Sequence, residues 1–164
     1  MVRLFYVEDI LPRSLSRETA AIVKSVAPAF RVFGKEILVS AYERMLADPA
    51  ACALFGEQAL RDRCATAEAL AEILFLVAIN IDTIDEVDAL YDHLARRHIA
   101  EGITTAHYLY IGAALLSAIR DVLGEGASDR ILDGWHDGFW YLTEMLMERT
   151  NALRQQAQPG SRAA

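Results

Sequence analysis

From about residue 16 to residue 154 the apolar residues recur every three or four positions, and no stretch alternates apolar and polar residues as a half-buried strand would. That periodicity fixes the class as all-α. Ser16 is a candidate N-cap for a first helix ending near residue 32, and Gly34 is expected to break it. A second helix over 35–47 then carries Ile37, Leu38, Ala41, Tyr42, Met45 and Leu46 on one face. A short helical turn starts at Pro49, and a strongly apolar helix covers 60–79. Thr83 and Glu86 predict a capping box for the next helix, which runs to about residue 100 and stops at Gly102. Another helix begins at 104, and Ser128 caps a last one over 129–154. About seven helices of unequal length with short joints imply crossed packing rather than a regular four-helix bundle. The expected organisation is an N-terminal extension over 1–15, one domain over 16–155 and a polar, flexible tail over 156–164.

Composition narrows the partners. A chain of 164 residues suggests one domain large enough for a real core. Its net charge of -7 speaks against a nucleic-acid partner. Cys52 and Cys64 stand alone and match no zinc pattern; they allow one disulfide, and two buried thiols of a cytosolic protein are the preferred reading. The start, "MVRLFYVEDILPRS", has charges inside its apolar run and makes a poor signal peptide. The densest apolar stretch, "ALAEILFLVAI", is too short to span a bilayer. The expectation is a cytoplasmic protein with no membrane contact. A phosphate loop, a nucleophile elbow and a paired-carboxylate site are all missing from the sequence.

The stretch "LYDHLARRHIAEGITTAHYLYIG" holds three of the four histidines. On the helix before Gly102 the apolar stripe reads Val87, Leu90, Tyr91, Leu94, and its next member is His98. His93 lies about 140° around the same helix and cannot share a metal with it. His107 sits on the following helix beside Tyr108. A single histidine on a buried face has two readings. It is a core histidine satisfied by a backbone carbonyl, or it is the one imidazole ligand of an iron whose in-plane ligands come from a porphyrin.

The order and spacing of "IVKSVAP", "LVSAYERML", "DPAACALF", "AINID", "LARRHIAEGITTAHY", "IGAALLSAIRDVLG" and "ILDGWHDGF" make the chain resemble the bacterial haemoglobins, the single-domain globins and the globin part of flavohaemoglobins. The resemblance spans about residues 16–155. It implies a globin fold packed around haem b (iron protoporphyrin IX), with His98 as the proximal iron ligand and Phe55 stacked on the haem. Tyr42 matches the family's distal tyrosine and Leu70 its apolar distal residue. Thr66 falls where the family usually has glutamine, with Ala67 or Arg63 as alternatives for that corner. Leu94, Arg97, Ile103, Ile111 and Leu115 are the implied pocket walls. Arg97 either pairs with a haem propionate or is a solvated surface arginine. Tyr108 matches a tyrosine that flavohaemoglobins pair with a glutamate behind the proximal histidine. Here the glutamate position falls on Thr150, and Glu148 is about 200° away around the helix. Without that carboxylate Tyr108 is either a partner of the histidine or a core aromatic with its hydroxyl bonded locally. Trp135 and Trp140 read as packing residues.

Three functions follow from these residues. The first is reversible binding of dioxygen, nitric oxide and carbon monoxide at a five-coordinate iron. The second is nitric oxide dioxygenation with electrons from an external reductase. The third is a sensor or interaction module without haem. The family's habit of pairing also raises a homodimer as an expectation.

Overall fold

A computed structural model describes residues 15–158. Most of the expected extension over 1–15 and the tail from 159 onward lie outside these residues. Among the described residues there are seven α-helices and no strand: α1 Arg17–Ala47, α2 Pro49–Phe55, α3 Glu57–Ala65, α4 Ala67–Ile79, α5 Asp88–Ala100, α6 Thr105–Leu123 and α7 Asp129–Gln156. Short 3₁₀ turns at Ile84–Val87 and Gly124–Gly126 lead into α5 and out of α6. No single helix among them is long and apolar enough to cross a membrane.

Local chemistry sets most ends. The Ser16 hydroxyl accepts from the Thr19 N–H at 3.0 Å, the Asp48 carboxylate from the Ala50 N–H at 2.8 Å, and Ser128 Oγ from the Ile131 N–H at 3.4 Å. Each satisfies a donor that a helix start leaves unpaired. Gly102 adopts φ 67°, a left-handed conformation that suits glycine, and the chain reverses there between α5 and α6.

Three expectations are corrected. Gly34 does not break a helix, because α1 runs unbroken from Arg17 to Ala47. A Cβ at Gly34 would stand 2.7 Å from the Ala71 Cβ, so the glycine is where α1 and α4 cross at backbone contact. The helix over 60–79 is two, because Thr66 turns its hydroxyl back to the carbonyls of Asp62 and Arg63 at 3.3 and 3.2 Å and α3 ends there. The Thr83–Glu86 capping box does not form. Thr83 Oγ1 donates to Asn80 Oδ1 at 3.3 Å, and a 3₁₀ turn delays α5 to Asp88.

Long α1 crosses α4, α6 and α7, and this crossing builds one apolar cluster around Phe30, Ile37, Leu115, Ile119 and Trp135. A second cluster gathers Val77, Tyr91, Tyr108, Trp140 and Leu146 between α4, α5, α6 and α7. Ile111, Phe139 and Leu142 touch both, and the cavity described below opens where the clusters meet. Arg149 of α7 pairs with Asp88 and, at 2.7 Å, with Asp92, which fixes α5 against α7.

Because the α1–α4 crossing has no room for a side chain, Gly34→Val is expected to cost about 1–3 kcal/mol through overpacking. A lowered urea midpoint at unchanged slope would show it.

Candidate functional site

Between the two clusters lies a mostly apolar cavity of about 200 Å³. The last turn of α5 brings His98 to it, and α6 brings Tyr108 behind His98 once Gly102 has turned the chain. The His98 Nδ1 and the Tyr108 hydroxyl are 2.7 Å apart, a hydrogen bond that occupies one ring nitrogen. With Nδ1 protonated the imidazole donates to the phenol oxygen, and Nε2 keeps its lone pair. Burial pushes the His98 pKa down to about 4, with Glu101 pulling it up and Arg63 and Arg97 pulling it down. The ring is therefore neutral near pH 7. Burial also raises the Tyr108 phenol to about 12, against the opposing charge of Arg154. Of the two readings of Tyr108, the hydroxyl takes the one facing the histidine.

Neither Thr150 nor Glu148 puts a carboxylate behind this pair. Thr150 is buried and its hydroxyl donates to the Leu146 carbonyl at 2.8 Å, while Glu148 is exposed.

Across the cavity Tyr42 of α1 is buried, and burial raises its pKa while Arg63 and Arg97 lower it. Among the described residues its hydroxyl has no hydrogen-bond partner, so the backbone cap that a core tyrosine would need is not made. Leu70, Leu94, Arg97, Ile111 and Leu115 line the cavity.

Thr66, its alternative Ala67, Phe55 and Ile103 are not on the cavity lining. Thr66 is exposed with its hydroxyl turned back on its own helix, and Arg63, one turn earlier, occupies the corner instead. Ala67 is buried but is not on the wall. Phe55 stands behind it, edge to face with His107 at 4.7 Å and beneath the Arg63 guanidinium at 5.7 Å. Ile103 is buried in the turn, where its N–H donates to the His98 carbonyl at 3.0 Å.

Two residues carry more than their sequence suggested. His107 is no accidental neighbour: the Thr104 N–H donates to its Nδ1 at 3.0 Å, which caps α6. Burial lowers its pKa and the Leu54 backbone opposes that, so a neutral ring ties the start of α6 to the end of α2. Glu101 lines the cavity mouth, accepting from Arg97 Nε at 2.8 Å and pairing with Arg63. Burial raises the Glu101 carboxyl, but the Arg97 hydrogen bond and the two guanidinium charges hold it below the ordinary carboxylate value. Its four-residue spacing from Arg97 was the available signal.

The His98 shift predicts the acid behaviour of the haem-free chain. A folded pKa of about 4 against 6.5 means the unfolded chain binds more protons between those values. Stability is then complete above pH 6.5 and falls by up to about 3 kcal/mol as pH drops toward 4. Urea melts of haem-free wild type and His98→Gln across that range would show a smaller acid slope in the variant; equal slopes would remove His98 as the cause.

Among the described residues no three His, Cys, Asp or Glu side chains gather to hold a bare metal ion. The residues do fit a flat macrocyclic cofactor that brings its own in-plane ligands: one neutral imidazole with a free nitrogen, apolar walls, and arginines at the mouth for acidic substituents. The fold and this cavity together define an all-α protein with a single-imidazole pocket. The globin family model matches residues 39–146, more than half of the chain, and the chain belongs to the globin family.

Flavohemoproteins are among the relatives in sequence. That of Xylella fastidiosa strain 9a5c is 31% identical over 142 residues, covering 87% of this chain and 36% of the relative. That of Bordetella pertussis is 33% identical over 140 residues, covering 85% and 35%. The chain thus spans about a third of these relatives' length. Among solved structures, a bacterial globin from Campylobacter jejuni aligns with TM-score 0.74 at 21% identity, over 85% of this chain and 99% of that one. A flavohemoglobin from Malassezia yamatoensis with bound FAD and heme aligns with TM-score 0.68 at 22% identity, over 88% and 38%.

Proposed function

We propose that this globin binds haem b and, through it, reversibly binds dioxygen and other diatomic gases. One observation carries the reading. A neutral imidazole, with one nitrogen bonded to Tyr108, and a buried phenol with no hydrogen-bond partner among the described residues line the same apolar cavity. When bound, the haem would supply an iron able to take up a diatomic gas. His98 holds the iron through the nitrogen that Tyr108 leaves free, and Tyr108 fixes the plane of the ring. Tyr42 donates to the gas, and Leu70 keeps water from it. Arg97 meets a propionate at the mouth.

A second reading, nitric oxide dioxygenation, draws on the flavohemoprotein relatives. In it a separate reductase is the partner that supplies electrons. With the Thr150 hydroxyl bonded to its own helix and no carboxylate at that position, electron donation by the imidazole is weaker, which favours simple binding. A cytoplasmic location, with Cys52 and Cys64 as free thiols, belongs to the same proposal.

Absorption spectra test it. Purified protein is expected to carry a strong Soret band that shifts on reduction and again with carbon monoxide. A chain that takes up no added haem would instead be a sensor or interaction module. Sustained nitric oxide consumption with a reductase would favour the second reading.

A further inference from the structure

We propose that the outer face of α1 is a two-fold interface, on which a second copy of this chain packs its own α1 in parallel. The inference stands apart from the haem reading, because association is read by mass with or without a cofactor.

Val32 and Phe33 are the exposed large hydrophobics among the described residues, at 71% and 40%. A helix turns about 100° per residue, so Pro28, Val32 and Val39 share one line along the outside of α1. Pro28 is exposed as well, and Val39 is half-buried. Lys24, Arg31 and Lys35 run along one side of that line, and Glu36 and Glu43 along the other. Phe33 widens the apolar surface on the acidic side. The basic side is loosely held: Arg31 meets Glu72 at 3.4 Å and Lys35 meets Glu68 at 3.8 Å, all four exposed. Glu36 and Glu43 are exposed and make no ion pair among the described residues.

An apolar line with opposite charges on its two sides fits a copy of itself in one direction only. A two-fold axis that sets the helices antiparallel puts basic over basic and acidic over acidic. One that sets them parallel puts each basic side over the other copy's acidic side, and Val32 meets its own equivalent. Arg31 then lies opposite the partner's Glu36, five positions on, the offset at which charges pair across a parallel two-helix seam. Symmetry makes that pair twice. The seam, from about Pro28 to Val39, is short, so the dimer is weak and depends on concentration.

Sedimentation equilibrium of the full chain over about 10 μM to 1 mM, where small interfaces associate, is the test. Wild type is expected to form a dimer and nothing larger, because a two-fold contact closes on itself. Val32→Asp should weaken it about tenfold or more, and Arg31→Glu and Glu36→Arg about threefold or more each. An equal mixture of Arg31→Glu and Glu36→Arg should associate more tightly than either alone, because both seam pairs are then opposite in charge. Circular dichroism matching wild type shows that each variant keeps its helices. A wild type that stays monomeric over the whole range overturns the interface. If, in that monomer, trypsin cuts after Arg13 faster in Val32→Asp, the chain's own residues 1–14 cover the face instead. Val32→Asp that dimerises like wild type overturns it too, by placing the contact elsewhere. Wild type mixed with Arg31→Glu that associates more tightly than wild type alone would mean antiparallel helices and overturn the parallel seam.

Discussion

Replacing His98 with alanine is expected to abolish stable haem retention, while His93→Ala keeps the wild-type spectrum. The contrast follows from placement. His98 faces the cavity with one nitrogen held by Tyr108, and His93 is exposed on another side of α5. Among the described residues no cluster of other ligands offers a second grip for a metal. Loss of the imidazole therefore removes the whole of the protein's ligation to the iron. Gel filtration of haem-loaded samples gives the readout: the Soret band should run with His93→Ala protein and separate from His98→Ala protein. Co-elution in both variants would assign the ligand elsewhere. Imidazole added to His98→Ala should restore part of the band, because the cavity walls remain.

Dioxygen is expected to leave Tyr42→Phe roughly ten- to a hundredfold faster than wild type, the loss of one hydrogen bond to a partly charged group. Phenylalanine keeps the shape of the wall and removes only the hydroxyl, so folding should be little affected. The phenol makes no bond within the described protein that its loss would break. Carbon monoxide, a poorer acceptor, should change less. Stopped-flow displacement of dioxygen measures the rate, and an unchanged value would mean that another group, with Arg63 first in line, is the donor.

The two distal groups show how far the sequence could be read. Tyr42 sits on a stripe of apolar residues with regular helical spacing, and α1 carries that stripe through without irregularity. Its face was therefore computable from its neighbours. Thr66 and Arg63 lie at a joint between two helices, where the register of one says nothing about the other. The short threonine satisfied itself on the backbone, and the long arginine, weighed only as an alternative, reached in. Gly34 failed for a related reason: a glycine that ends a helix and one that lets two helices touch look alike until the second helix is placed. Phe55 was expected inside; it is half-buried, with its ring against His107 and under the Arg63 guanidinium and outside the cavity lining.

Sequence alone determined the all-α class, the stop at Gly102, the N-caps Ser16 and Ser128, and the inward face of His98, because helical period and capping act over a few residues. Tertiary structure decided that Tyr108 meets His98, that Tyr42 has no partner among the described residues, and that Arg63 and Arg97 share Glu101. Those are contacts between helices, and their distances depend on how α1, α3, α5 and α6 cross. Crossing is set by the summed packing of many side chains, which no local pattern contains.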